Sequence, residues 1–386
     1  MSVAAFLAGD LVRGCVYSAA PRNVYWEMTV ACELACKHCR ASAIPRRDPL
    51  ELSFEEGCSL IRDVKEMGSM LILTGGDPML RPDLFELIAY ARSIGVPVSI
   101  TPSATPSLTR DAVRRFKELG VAALGISLDG PAAELHDSFR GVPGTFARSL
   151  EILAWAREVR LPVQVNTTVT LSTLPHLGNL YRLLSERAVP PVRRWSLFLL
   201  VPVGRGVELG LPSAEQVEDL WAWVYEIARE APFHVGTVEA PHYRRYWIQR
   251  RLAEGATVAE LERGARAAGL GIRDGNGVVF VSHRGEVYPA GFLPYPVGNV
   301  RERPLSEIYR DSQALVALRD MNRLKGKCGS CPYRWVCGGS RARAFAMTGD
   351  PFGPDPLCAY EPASPPLSSA RDARTPGALR SGLAEW

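Results

Sequence analysis

No run of 18 apolar residues occurs in the 386-residue chain, so no stretch of it reads as a membrane-spanning helix. The first twenty residues also lack the basic start and long apolar stretch of a secretory signal. Both absences lead us to expect a soluble, cytoplasmic protein with no membrane partner. Strong charge of one sign is missing too: a net charge of +4 is modest for this size and gives no reason to expect a nucleic-acid partner. Lysine is scarce beside arginine, a compositional bias to which we attach no functional meaning. A disulfide framework is not expected either, because such frameworks belong to small secreted domains. The nine cysteines fall mostly into two groups, which argues for metal ligation in a reducing compartment. With 47% hydrophobic residues the chain can bury one large core, or a core and a smaller domain.

The first group is Cys32, Cys36 and Cys39, spaced Cys-x3-Cys-x2-Cys at the end of the apolar run Val24 to Val30. Three thiolates at this spacing can hold three irons of a 4Fe-4S cluster, which normally takes four cysteines. One iron would then be open to another ligand, as catalytic metal sites keep a free position. A zinc knuckle competes with this reading. Zinc usually takes paired Cys-x2-Cys units and four ligands, and His38 would supply one; under the iron-sulfur reading His38 falls among the cofactor-binding residues.

The second group, Cys328, Cys331, Cys337 and Cys358, reads Cys-x2-Cys-x5-Cys-x20-Cys. Four thiolates complete a 4Fe-4S cluster without a vacancy, suited to carrying electrons or fixing structure; a structural zinc is the competitor on spacing alone. Cys15 and Cys58 are left over, and Cys58 is most simply a small buried hydrophobe.

Short apolar strands alternate with helical segments through the first two hundred residues, the pattern of a parallel α/β architecture. Strands are expected at Val24 to Val30, Ser69 to Leu73, Val96 to Ile100, Ala122 to Ser127, Val163 to Val169 and Arg194 to Leu200. Helices are signalled by a capping box at Ser53 to Glu56, by Pro82 with a stop near Gly95, and by Thr109 with a stop at Gly120. Six βα units suit a partial TIM-like barrel, whose active site lies at the C-terminal ends of the strands. Thr74-Gly75-Gly76-Asp77-Pro78 and Ile126-Ser127-Leu128-Asp129-Gly130 both fall at such ends. Two glycines let backbone approach a ligand closely and the proline fixes the turn. We expect an N-terminal extension over 1–20, the barrel over 21–210 and a helical connector over 211–275. A cysteine-bearing domain over 276–362 and a disordered tail over 363–386 follow. A hairpin is expected to turn at His283-Arg284-Gly285.

Taken together, the cysteine triplet, the Gly-Gly-Asp-Pro loop and the order Ser127, then His136-Asp137-Ser138-Phe139-Arg140-Gly141, resemble the radical SAM superfamily. The resemblance implies that the open iron chelates S-adenosylmethionine and cleaves it reductively to a 5′-deoxyadenosyl radical. It further implies that Gly75, Gly76, Asp77 and Pro78 receive the methionyl amino group. Ser127 and Arg140 would face the carboxylate and ribose, a guanidinium fork suiting a carboxylate. Asp77 stands where a Glu is commoner.

The run from Cys328 through Cys337-Gly-Gly-Ser340-Arg-Ala-Arg to Cys358 is similar to the SPASM or twitch-type subgroup, in particular to the haem d1 biosynthesis and alternative haem biosynthesis proteins. That likeness implies an auxiliary 4Fe-4S cluster. Ser340 and Ala290 stand where many relatives have further cysteines, which argues for one auxiliary cluster. The implied substrate is a tetrapyrrole whose propionate side chain loses carbon dioxide or is otherwise cleaved, with Arg244, Arg245 and Arg250 holding other carboxylates. A ribosomally made peptide is the alternative substrate, and an electron donor such as ferredoxin or flavodoxin is implied in either case. A non-catalytic zinc scaffold would need the Gly-Gly-Asp-Pro loop to be coincidental.

Overall fold

The structure, a computed structural model, describes residues 16–186, 192–267 and 271–362. Its core runs β1 (Asn23–Glu27), α1 (Phe54–Glu66), β2 (Met70–Thr74), α2 (Leu84–Ser93), β3 (Val98–Ile100), α3 (Arg110–Glu118), β4 (Ala123–Ser127), α4 (Ala133–Arg140), α5 (Thr145–Glu158), β5 (Val163–Val169), α6 (Leu177–Ser185), β6 (Val192–Leu199), α7 (Ala214–Glu230) and β7 (His234–Val238). The strands form where bulky apolar residues alternate with polar or small ones. In β1, Val24 and Trp26 are fully buried on the helix side while Asn23 and Tyr25 face an interior cavity. In β5, Val163, Val165 and Val169 pack outward while Gln164, Asn166 and Thr168 face in.

All seven strands pair in parallel and in chain order, from the register Tyr25 opposite Ile72 to Ser196 opposite Gly236. The capping box at Ser53 and Glu56 is formed, and the Thr109 side chain accepts the Ala112 N–H, as the sequence leads one to expect. Beyond the core come α8 (His242–Ala253), α9 (Val258–Ala267), β8 (Val278–Val281), β9 (Glu286–Tyr288), β10 (Gly298–Asn299), α10 (Leu305–Asp311), α11 (Gln313–Arg319), α12 (Gly326–Ser330) and α13 (Arg341–Thr348). β8 joins β1 in parallel on the side away from β2, and β9 and β10 extend the sheet antiparallel. The cysteine-bearing C-terminal part therefore shares one sheet with the core. Gly285, with φ near +84°, makes the turn expected at residues 283–285.

The span 211–275 is not purely helical as expected. It contributes β7, whose Gly236 interrupts the β-branched pattern and hides the strand signal. Cys15 and the tail 363–386 lie outside the described residues. No helix among the described residues is long and apolar enough to cross a membrane.

The outward face is packed without slack: a Cβ on Gly57 of α1 would lie 2.7 Å from the Trp26 ring and 3.1 Å from Leu87. We therefore expect Gly57→Ala to lose about 1–3 kcal/mol of stability. Calorimetry under anaerobic conditions should show a lowered unfolding temperature; an unchanged midpoint would mean that Trp26 has room to move.

Candidate active site

After β1 the chain leaves the sheet and carries its three cysteines across the C-terminal mouth of the barrel. The loop is tied at its base, where Gly76 and Asp77 donate N–H groups to the carbonyls of Thr29 (2.8 Å) and Ala31 (2.6 Å). It is tied at its middle by the Lys37 N–H on the Phe139 carbonyl, 3.0 Å. At its far side Arg205 donates its backbone N–H to Cys39, its Nε to Cys36 and its Nη1 to Ala43, all to carbonyl oxygens at 2.8–3.0 Å. Two glycines permit these approaches. A Cβ on Gly76 would sit 2.3 Å from the Ala31 oxygen, and one on Gly204 would sit 2.4 Å from the oxygens of both Cys39 and Arg40. Gly204 also has φ near +55°, which favours glycine on its own account. Arg40, next to Cys39, pairs with buried Glu27 at 2.7 Å, and His283 of the hairpin approaches the other Glu27 oxygen at 2.7 Å. The loop is thus fixed to the C-terminal region as well as to the barrel.

All three thiols line one cavity. Each sulfur faces an N–H donor: Leu34 to Cys32 at 3.4 Å, Ala43 to Cys39 at 3.4 Å, and Arg140 Nη1 to Cys36 at 3.7 Å. Burial pushes the Cys32 thiol up to about 11, against the hydrogen bonds from Ser103 and Leu34. Three sulfurs opening on one cavity, each with an N–H donor suited to a thiolate, make a donor set that fits a metal cluster.

The other expected site residues divide into two layers. Gly75, Gly76, Ser127, His38 and Arg140 line the cavity with the cysteines. Asp77 and Pro78 stand behind them. The Asp77 carboxylate is fully buried and accepts from the Met79 and Ser103 N–H groups and from the Thr105 hydroxyl, so it braces the loop and does not face the cavity. Arg140 gives its Nε (2.8 Å) and Nη2 to Asp129, leaving only its Nη1 edge toward Cys36. Burial opposes the charge on Asp129, yet Arg140 holds its carboxyl below the usual range. Burial and then Arg140 hold His38 down to about 3, so its ring is neutral, stacked on Phe139 at 4.5 Å. His38 Nδ1 and Arg205 Nη2 are buried with no hydrogen-bond partner, which leaves two polar atoms for a bound group in this wall.

Cys328, Cys331, Cys337 and Cys358 line a second, small cavity with His242, Arg245 and Tyr360. Here too N–H groups reach sulfur, from Gly339 to Cys337 and from Asp355 to Cys328, both at 3.4 Å. Burial pushes Cys331 up to about 11 and raises Cys337 and Cys358 as well, so this donor set likewise fits a cluster. The pocket is held by two fully buried arginines. Arg343 clasps Asp355 with both arms, at 2.9 and 3.0 Å, and Arg341 donates to the carbonyls of Pro351 and Gly353. Despite burial, Arg343 holds the Asp355 carboxyl well below its ordinary range.

The large cavity has a volume of about 1320 Å³ and reaches from the cysteine triplet into the barrel and across to Gly339. Gly339 lines both cavities, so one residue separates the large space from the second cysteine group. Ser340 and Ala290, the two positions without the further cysteines, also line it. The Ser340 hydroxyl donates to Glu239 at 2.6 Å, and Asp274 accepts the N–H groups of Arg341 and Ala342. Burial and then Asp274 push the Glu239 carboxyl well up, which favours its protonated form.

Of the three arginines expected to hold carboxylates, only Arg244 lines the cavity, donating to the Ile272 carbonyl at 2.6 Å. Arg245 pairs with Glu218 beside the second cysteine group, and Arg250 pairs with Glu226 at the surface. Their helix α8 turns Arg245 and Arg250 away from the cavity, a direction that composition alone does not reveal. Sequence reasoning also passed over Arg205, Glu239 and Arg194. Gly204-Arg205-Gly206 at the C-terminal end of β6 was the available signal for the first of these.

Residues 26–182 match the model of the radical SAM superfamily, and residues 273–332 match that of the SPASM iron-sulfur cluster-binding domain. The chain is 41% identical to an AdoMet-dependent heme synthase of Oleidesulfovibrio alaskensis, over 92% of this chain and 91% of that protein. It is 34% identical to an Fe-coproporphyrin III synthase of Methanosarcina barkeri, over 87% of each. Its backbone also superposes on the SuiB structure of Streptococcus suis with a TM-score of 0.69 at 17% identity, over 89% of this chain and 78% of that one, a likeness of fold alone. With its partial barrel, its cysteine triplet and its C-terminal cysteine pocket, the chain belongs to the radical SAM superfamily as an S-adenosylmethionine-dependent 4Fe-4S enzyme with a SPASM auxiliary iron-sulfur cluster.

Proposed function

We propose that this enzyme acts on a tetrapyrrole, taking a hydrogen atom from a propionate side chain, which then releases carbon dioxide and gives one electron to a one-electron acceptor, leaving a vinyl group. The observation that carries this reading is the single cavity of about 1320 Å³ that runs from the cysteine triplet to the wall of the second cysteine group. It is large enough for a nucleotide and a macrocycle together, since ordinary small-molecule sites occupy about 300–1,000 Å³. The relatives named as heme and Fe-coproporphyrin III synthases support it. Arginine side chains in the cavity favour an acidic small molecule over a peptide backbone.

In this reading Cys32, Cys36 and Cys39 hold the cluster that binds S-adenosylmethionine, and Cys328, Cys331, Cys337 and Cys358 hold the second. When bound, these groups supply one-electron reduction, hydrogen-atom abstraction and electron transfer. The chain supplies position and exclusion. The backbone of Gly75 and Gly76 lets the cofactor lie close to the barrel mouth. Ser127, His38, the Nη1 edge of Arg140 and the unpartnered Nη2 of Arg205 orient its polar groups. Arg205 also fixes the cysteine loop through three carbonyls, so it acts as a positioning residue. Glu239, held by Ser340 between the two cysteine groups, presents a neutral acid to the substrate. A reductant such as ferredoxin or flavodoxin would serve the triplet in the cytoplasm, where thiols stay reduced.

The deciding experiment incubates anaerobically purified holoenzyme with S-adenosylmethionine, a strong reductant and iron-coproporphyrin III. Mass spectrometry should find porphyrin that has lost carbon dioxide; an unchanged porphyrin alongside a modified peptide would replace this reading. Cys36→Ala should abolish 5′-deoxyadenosine formation, and its persistence would refute the assignment of the triplet. Cys331→Ala should lower iron from about eight to about four per chain, leave some uncoupled cofactor cleavage and yield no decarboxylated product. A full product yield in that variant would remove the second cluster from the reaction.

A further inference from the structure

Among the described residues, several buried or half-buried arginines have a carboxylate partner: Arg40 has Glu27, Arg140 has Asp129, Arg245 has Glu218 and Arg343 has Asp355. Arg194 differs. It sits on β6 and turns its side chain into the barrel, where it makes no ion pair among the described residues. Among the described residues its Nε donates to the Ser196 hydroxyl at 2.9 Å, and neither terminal nitrogen has a carboxylate partner. Space for the guanidinium has been cleared on the next strand, because a Cβ on Gly236 would lie 2.4 Å from Arg194 Nη2. Around it are polar groups and His234, its register partner on β7, whose basicity burial and then Arg194 hold down. Gln164 stands opposite Arg194 in the register and donates to Asn166 at 2.8 Å, and the Tyr25 phenol faces it across the barrel.

A half-buried cation without a carboxylate beside it gains from an anion that comes to meet it. We infer that Arg194, with Ser196, Gln164 and Asn166, forms a carboxylate subsite inside the barrel that receives an acid side chain of the substrate remote from the reacting one. Arg194 lies five residues before the C-terminal end of β6, roughly 16 Å down the strand at about 3.3 Å per residue. A rigid molecule with acids on opposite edges can place one on Arg194 while another edge stays near the cysteine triplet. The identity of that acid as a tetrapyrrole propionate rests on the function proposed above; the subsite itself does not. Burial lowers the basicity of Arg194 and the Tyr25 phenol opposes this, in keeping with a cation that has no carboxylate beside it.

Titration of anaerobic holoenzyme with iron-coproporphyrin III, followed by absorbance, tests the inference. Arg194→Met should bind about tenfold to a hundredfold more weakly than the parent, the range for losing a charge-assisted hydrogen bond. Arg194→Lys should fall between them, and the fully esterified porphyrin should bind parent and Arg194→Met alike. Equal affinity of the free acid for both proteins overturns the subsite. Iron content and S-adenosylmethionine affinity check that each variant is folded. Should the parent bind no porphyrin, the tetrapyrrole reading falls and a second measurement on the unaltered protein decides the subsite. Propionate should protect Arg194 from phenylglyoxal, read by peptide mass mapping, and modification at an undiminished rate would overturn the proposal.

Discussion

The architecture depends on holding one irregular loop still. A segment that carries three metal-ligating thiols has little sheet pairing of its own, and the part of its backbone that lies against the barrel must be satisfied by other means. The solution is to borrow partners from outside the loop: Gly76 and Asp77 after β2 and Arg205 after β6 donate to its carbonyls, and the Phe139 carbonyl in α4 accepts its Lys37 N–H. Because these contacts are backbone to backbone or guanidinium to carbonyl, they set the loop's path without engaging the thiols. Gly76 and Gly204 are glycines for that reason, as any side chain there would strike a carbonyl of the loop.

The interior of the barrel follows from a second constraint. Barrels of this type are ordinarily filled by layers of branched apolar side chains. Here most inward positions of β3 to β6, among them Ser99, Gly125, Gln164, Asn166, Arg194 and Ser196, are small or polar, with Phe198 the aromatic exception among the described residues, and the interior stays open. Stability therefore rests on the outward face, where Trp26, Trp195 and Trp221 are buried among aliphatic side chains from the helices.

Much of this was legible in the residues. The triplet Cys32, Cys36 and Cys39, the Gly75-Gly76 turn and the four later cysteines announce themselves by spacing, and the period-two strands mark the barrel. The strand β7 was not legible, because Gly236, which makes room for Arg194, also erases the β-branched signal. Nor could the roles of Asp77, Arg245 and Arg250 be read, since each turns on which way a side chain points after folding. Arg194 hid in plain view for the opposite reason: in an arginine-rich chain a lone cation carries no signal until its neighbours are known to be neutral.

The wall at Gly339 has a consequence for how electrons cross the molecule. This glycine lies 3.4 Å, measured from where its Cβ would be, from the Cys328 sulfur, while it also borders the large cavity. Electron tunnelling falls off steeply with the thickness of matter between donor and acceptor. A partition only one residue deep, with no side chain to thicken it, offers a short path between a cluster held by the second cysteine group and whatever fills the large cavity.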